Sequence, residues 1–316
     1  MPPAPRSQFE SVVVSNTSLC REHYRLTLGL RGFPATEPGQ FVQISCRPMD
    51  GGDDLERELD WPDGRMPVAR GMELCQPTAM LRRPFSLAGR RDVGGGVEVD
   101  IIHRVVGVGT DWLSRLGPGD SVHLLGPLGN RFALPGPGAT AILVGGGVGI
   151  PPMLYLAERL AGRPAVAFCG ALTRDLLPFT LIDVAGGSSD DDVQPAMIVG
   201  EFARHGIASV LSTDDGSFGF RGFVTQALER YLDAGRADDP VIYTCGPEPM
   251  MKRVAEIAAQ RGLACQIAVE RAMACGMGTC QSCVIRVRRP ATAGREWAYR
   301  LACTDGPIFT GDELLW

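Results

Sequence analysis

A β-barrel followed by an α/β domain and a small cysteine-bearing third domain is the architecture that three features of the sequence predict. The first part is a run of short alternating strands. A Pro-Gly linker then changes the rhythm to strand, glycine loop and helix, and the last fifty residues replace periodic apolar positions with glycines and cysteines. A chain of 316 residues is long enough for two or three such units, each with its own core.

In order, FESVVVS, YRLTLGL, GQFVQIS, RPFSLAG, VEVDIIHR and DSVHLLG are β-rich runs separated by turn residues. Strands at that spacing predict an antiparallel barrel over residues 1–137. Residues 49–79 interrupt it with an acidic stretch rich in Gly and Pro and without periodicity, which reads as an inserted surface loop. The PGPG at 135–138 marks the linker, and an α/β domain is expected over 138–262. There AILVGGG is a buried strand entering glycines, PPMLYLAERL is a helix with prolines in its first turn, and AVAFCGA is the next strand. VIYTCG and EPMMKRVAEIAAQRG repeat the scheme, with Met250, Val254, Ile257 and Ala258 on one helical face and Gly262 as the stop. The segment 263–316 carries too few periodic apolar residues for a core of its own, and a metal centre would organise it.

Composition narrows the classes. A net charge of -5 argues against nucleic-acid binding through phosphate neutralisation. The first ten residues, MPPAPRSQFE, lack the blocks of a signal peptide, and no apolar run is long enough to span a bilayer, so the expected location is cytoplasmic and no membrane partner is expected. Ten cysteines without a secretion signal, three of them within 275–283, suit metal binding better than disulfides. Cys20, Cys46, Cys75, Cys169 and Cys265 read as ordinary buried thiols.

Cys275-x4-Cys280-x2-Cys283 followed by a remote Cys303 is the plant-type 2Fe-2S spacing. Each iron is tetrahedral and takes two protein sulfurs, so four thiolates are required. Gly276, Gly278 and Thr279 let the loop wrap closely and turn N–H groups toward sulfur. Zinc sites also use four cysteines, but usually as two C-x2-C pairs. In VGGGVGIPPM, Gly145, Gly146, Gly147 and Gly149 lie between a strand and a helix, where backbone can approach a pyrophosphate. Such a turn can also be a plain tight connection. Cys245, Gly246 and Pro247 in YTCGPEPMM repeat the arrangement at the same sheet edge.

Together these motifs resemble the ferredoxin-reductase family, whose members join a flavin-binding barrel to a nicotinamide-binding, Rossmann-like α/β domain. RRPFS resembles its first flavin motif, which implies that Arg83, Pro84, Phe85 and Ser86 lie at the flavin, the Arg toward phosphate and the Ser near the ring's reactive nitrogen. GVGTDWL resembles the second, implying that Gly109 and Thr110 hold the pyrophosphate of an FAD. His103 and Arg104 fall on the strand that meets the ribityl and phosphate region, although His103 can equally be a plain strand residue. The resemblance implies no catalytic side chain beyond the flavin, with Cys245 near the nicotinamide.

The terminal cysteines narrow the resemblance to the electron-transfer subunits of the two-component dihydroorotate dehydrogenases. LRRPFSLAG, GPLGNRF, VGGGVGIPPM, STDDGSFGFRGFV, YTCGPEPMM, ERAMACGMGTCQSC and ACTDGPIF occur in family order across nearly the whole chain. The insertion at 49–79 and extra length around 186–206 are departures. The resemblance implies FAD, a 2Fe-2S cluster and NAD as cofactors. It also implies an FMN-containing catalytic subunit as partner, in a heterotetramer of two of each, with the dihydroorotate site on that partner. A ferredoxin-NADP oxidoreductase or sulfide dehydrogenase subunit on the same scaffold is the alternative. There the family pattern has Asp at the first cluster position, where this chain has Cys275. A redox sensor without catalysis would need no paired flavin and nicotinamide motifs. After the second α/β strand, Thr173, Arg174 and Asp175 stand where ribose recognition usually occurs, and the family favours NAD over NADP.

Overall fold

The computed structural model describes residues 7–47, 79–182, 193–289 and 296–316. All six expected N-terminal strands form: β1 (Ser7–Cys20), β2 (His23–Leu30), β3 (Phe41–Ile44), β4 (Arg83–Val93), β5 (Gly96–Arg104) and β6 (Ser121–Leu128). They close in the order β1-β2-β5-β4-β3-β6. Alternation in the strands puts Val13, Leu26, Leu28, Ile44, Leu87, Ile101 and Leu124 inside, with Leu113 of the short helix α1 (Val108–Ser114) packed among them. Of the insertion at 49–79, all but Ala79 lies outside the described residues, and Ala79 is buried in the barrel core.

The second unit contains β7 (Ala141–Gly146), α2 (Ile150–Arg159), β8 (Ala165–Ala171), α3 (Gly200–Ala203), β9 (Ala208–Thr213), β10 (Phe220–Arg221), α4 (Val224–Asp233), β11 (Val241–Cys245), α5 (Glu248–Gln260) and β12 (Ala264–Ala268). The C-terminal part adds β13 (Val284–Arg288), β14 (Trp297–Leu301) and β15 (Ile308–Thr310). One sheet runs β10-β9-β8-β7-β11-β12-β15, parallel except for β15, while β13 and β14 form a separate hairpin. The sheet therefore continues beyond Gly262: β12 pairs along its whole length with β11, and β15 from the far end of the chain closes the edge. The cysteine segment also shares a core with the sheet, since Cys283, Ile285, Val287 and Cys303 pack in one cluster with Ile242, Val254 and Ile267. Apolar burial anchors this segment, in addition to whatever a metal centre contributes.

Helix α2 joins barrel to sheet. Every residue from Ile150 to Ala157 is buried, because the helix is covered on one side by the sheet and on the other by β4. Tyr155 reaches into the barrel core and its hydroxyl bonds both the Thr36 hydroxyl and the Thr36 carbonyl at 2.8 Å. Helix α5 buries Val254, Ile257 and Ala258 as expected, together with Met251 and Ala255, while Met250 packs against the same core only partly buried. Among the cysteines read as plain thiols, Cys46, Cys169 and Cys265 are buried, Cys20 is half-exposed and Cys75 lies outside the described residues. No described helix is long and apolar enough to cross a membrane.

Candidate functional site

Between β12 and β13 the chain makes no regular structure and is shaped by glycines instead. Gly276 and Gly278 have φ of 69° and 87°, which a side chain would oppose. This turn directs the backbone N–H groups of Met277 and Cys280 onto Cys275 Sγ, each at 3.4 Å. The four cysteines fall into two pairs: the Cys280 N–H donates to Cys275 Sγ, and Cys283 and Cys303 are buried together in one apolar cluster. Hydrogen bonds from Ser282, then from Cys275, lower the exposed Cys280 thiol to about 6, whereas burial and Cys283 push Cys303 up to about 12. Among the described residues no three ligating side chains meet closely enough for a single ion. Two thiol pairs, with N–H groups already turned to sulfur, fit a binuclear iron-sulfur cluster better than one zinc. Binding metal would displace the proton that Cys303 otherwise keeps.

The second feature is a cleft of about 670 Å³ at the carboxyl ends of the parallel strands, facing the barrel. Strand order reverses at β7, with β8 on one side and β11 on the other, and a crevice opens at such a switch point. Two glycine loops form its floor and interlock there. A Cβ on Gly149 would lie 2.2 Å from the Cys245 carbonyl oxygen, and one on Gly146 would lie 2.6 Å from Met250 Sδ. Gly145 is wedged against Ile150, and Gly246, with φ 154°, against Gly146 and Met250. Gly146, Gly147 and Pro247 line the opening, and Met250 points into it. This accounts for the partial burial of Met250. Cys245 is buried beneath, its thiol pushed up to about 12 by burial and by Glu270, so it is neither charged nor exposed.

From the barrel, Arg104 lines the cleft and is paired to Glu22 at 2.8 Å. His23 and Val106 line it too, and neither stands out in the sequence. His23 Nδ1 lies 2.9 Å from the Arg21 carbonyl, so that nitrogen carries the proton and Nε2 is an acceptor without a protein partner. Asp214, Phe223 and Glu270 complete the wall. Burial and Asp215 raise the Asp214 carboxyl. Arg174 is instead laid over the Phe218 ring at 5.2 Å, and Asp175 pairs with Arg21 at 3.1 Å.

The remaining barrel residues do not line this cleft. Arg83, Pro84, Phe85 and Ser86 begin β4, opposite Ile44, Gln43, Val42 and Phe41. Arg83 is exposed and donates to the Leu81 carbonyl at 3.1 Å. His103 is buried behind Tyr24 and Phe85, and neither of its ring nitrogens has a partner. Gly109 is packed on Cys46 and Ala79. The Thr110 hydroxyl is engaged within its own loop, accepting from Val106 N at 2.9 Å and Gly107 N at 3.2 Å. The exposed guanidinium of Arg83 suits a phosphate, and the unpaired ring nitrogens of His103 are polar atoms that a dinucleotide bound at the barrel would satisfy.

Residues 270–315 match the iron-sulfur cluster binding domain of dihydroorotate dehydrogenase B. Over 310 residues the chain is 30% identical to the "Dihydroorotate dehydrogenase B (NAD(+)), electron transfer subunit" of Caldanaerobacter subterraneus subsp. tengcongensis, covering 98% of this chain and 99% of that one. It is 35% identical over 306 residues to the protein of the same name from Geobacillus thermodenitrificans, covering 96% of each. Its fold is also that of a solved NADH-dependent reduced ferredoxin-NADP oxidoreductase, with a TM-score of 0.68 at 24% identity over 97% of this chain and 90% of that one. With such identity over nearly its full length, the chain belongs to the family of dihydroorotate dehydrogenase B electron-transfer subunits.

Proposed function

We propose that this chain carries electrons from the FMN of a separate dihydroorotate dehydrogenase catalytic subunit to NAD, as an oxidoreductase subunit serving pyrimidine biosynthesis. Cys275, Cys280, Cys283 and Cys303 hold a 2Fe-2S cluster, FAD lies across the barrel mouth at Arg83–Ser86, His103–Arg104 and Gly109–Thr110, and NAD enters the cleft over the two glycine loops. The flavin, when bound, exchanges electron pairs with nicotinamide and single electrons with the cluster. The observation that carries this reading is the gathering of the four cysteines, Cys280 bonded to Cys275 Sγ and Cys283 buried with Cys303, in a chain whose barrel and sheet also face each other across a cleft.

The chain's own residues bind and orient. Gly145, Gly146, Gly149 and Gly246 lock the two loops together, Gly147 leaves open space in which backbone can approach a pyrophosphate, and Arg104 offers a cation beside it. An acid, Asp214, faces the cleft while Arg174 is stacked elsewhere, which suits a free ribose hydroxyl better than a 2'-phosphate. Cys245, buried and neutral, supplies shape rather than a nucleophile. The assembly is a cytoplasmic heterotetramer of two of each subunit.

Metal analysis and reconstitution test this. The purified chain should carry about two iron and two sulfide per chain and reduce an artificial dye with NADH, yet oxidise dihydroorotate only after the catalytic subunit is added. Cys280→Ser should keep NADH-dependent dye reduction and abolish NAD reduction by the reconstituted complex. Stoichiometric zinc, or dihydroorotate turnover by the chain alone, would refute the assignment.

A further inference from the structure

Gln43 stands on β3 where the barrel meets the cysteine loop. Its neighbours on the strand, Phe41, Val42 and Ile44, are all buried and apolar, and Gln43 itself is 0% exposed. An amide among such residues needs a partner outside the barrel core, because an unpaired buried oxygen costs about 1–3 kcal/mol that a leucine would not. Nε2 reaches the Met273 carbonyl at 3.5 Å, and Oε1 is buried with no hydrogen-bond partner. That oxygen faces Gly276. A Cβ there would lie 2.6 Å from Oε1 and 2.8 Å from Cδ, so the loop touches the amide through bare backbone. Gly276 directly follows Cys275. On the other side, Gln43 is in register with Pro84, and its neighbours Phe41 and Ile44 with Ser86 and Arg83.

We propose that Gln43 is a positioning residue that clamps the cysteine loop to the strand pair bearing Arg83–Ser86 and so sets the placement of the cluster relative to the flavin. Its amide donates to Met273, and its oxygen accepts an N–H of the loop around Gly276 once the thiols hold their cluster. Gly276 is the complementary half of the contact, since any side chain there would displace the amide. The inference rests on the electron-transfer reading above.

The test uses the full chain purified anaerobically with FAD and cluster, reduced by NADH in a stopped flow. In Gln43→Leu, FAD content and the rate of flavin reduction should match wild type, while cluster reduction slows by at least about tenfold and the electron paramagnetic resonance of the reduced cluster shifts. Gln43→Glu keeps the acceptor and, at a pH high enough to ionise this buried carboxyl, adds a negative charge beside the loop, so redox titration there should find the cluster harder to reduce and the flavin unchanged. A Gln43→Leu chain with wild-type cluster reduction and spectrum overturns the proposal while leaving the electron-transfer reading intact. If that variant loses its cluster, Gln43→Glu decides, and an unshifted cluster potential overturns the proposal. A wild-type chain without iron and sulfide overturns both.

Discussion

His103 lies between Tyr24 and Phe85, with ring centroids 5.8 and 6.1 Å away, and burial followed by the charge of His23 pushes it down from 6.5 to about 4. The unfolded chain therefore binds more protons than the folded one between those values. Stability from this group is complete above pH 6.5 and is lost as pH falls toward 4, a difference on the order of 3 kcal/mol. His23, also lowered chiefly by burial, acts in the same direction. In His103→Phe, whose ring fits beside the two aromatics, denaturant unfolding measured from pH 7 to pH 4.5 should lose less stability than wild type. Parallel profiles would move the acid sensitivity to His23 or to carboxylates. The residue's place on the strand before the second flavin motif was readable from IIHR. Its burial without partners was not, because a strand pattern does not reveal which neighbours close over one side chain.

At the scale of elements, both glycine loops and their common sheet edge were legible, since a glycine run between an apolar strand and a proline-opened helix marks a strand-to-helix turn at the carboxyl edge of a parallel sheet. Their mutual contact was not. Gly149 has an ordinary φ of -84°, so nothing in its own conformation demands glycine, and the demand comes from the Cys245 carbonyl on a loop about a hundred residues away in sequence. Gly149→Ala should force the loops apart and raise the dissociation constant for NADH by about tenfold or more, with FAD retained, as read by titration of flavin fluorescence. Unchanged NADH binding would show that the interlock is not what shapes the cleft. Met250 shows a related limit: it packs against the core as expected yet also lines the cleft, and periodicity cannot separate a core-facing methionine from one facing a ligand.

Across the whole molecule, three units defined by sequence rhythm share their interiors. Ala88 and Ile102 of the barrel pack with Met153 and Leu154 of α2, and Asn130 at the end of the barrel accepts from Ile308 N at 2.8 Å and donates to the Asp305 carbonyl at 3.1 Å. Tyr155→Phe removes the hydroxyl that bridges α2 to Thr36 and leaves its carbonyl unpaired, at a cost of about 1–3 kcal/mol. Chemical unfolding should show that loss, and flavin reduction by NADH should slow because barrel and sheet are no longer held in one orientation. A Tyr155→Phe chain as stable as wild type would place the joint in the apolar contacts alone.

The sequence by itself determined the barrel, the α/β rhythm, the four cysteines and the glycine loops, because each is written in local spacing: alternation for strands, 3.6-residue periodicity for helices, x4-x2 for the cluster. Only the tertiary structure decided that β15 returns to the sheet edge, that Cys283 and Cys303 share a core with Ile242, that His23 and Asp214 line the cleft, and that Gln43 is buried against the cysteine loop. Those three are single polar residues without a motif. Their roles arise from chain segments that meet after folding, and local spacing carries no record of such meetings.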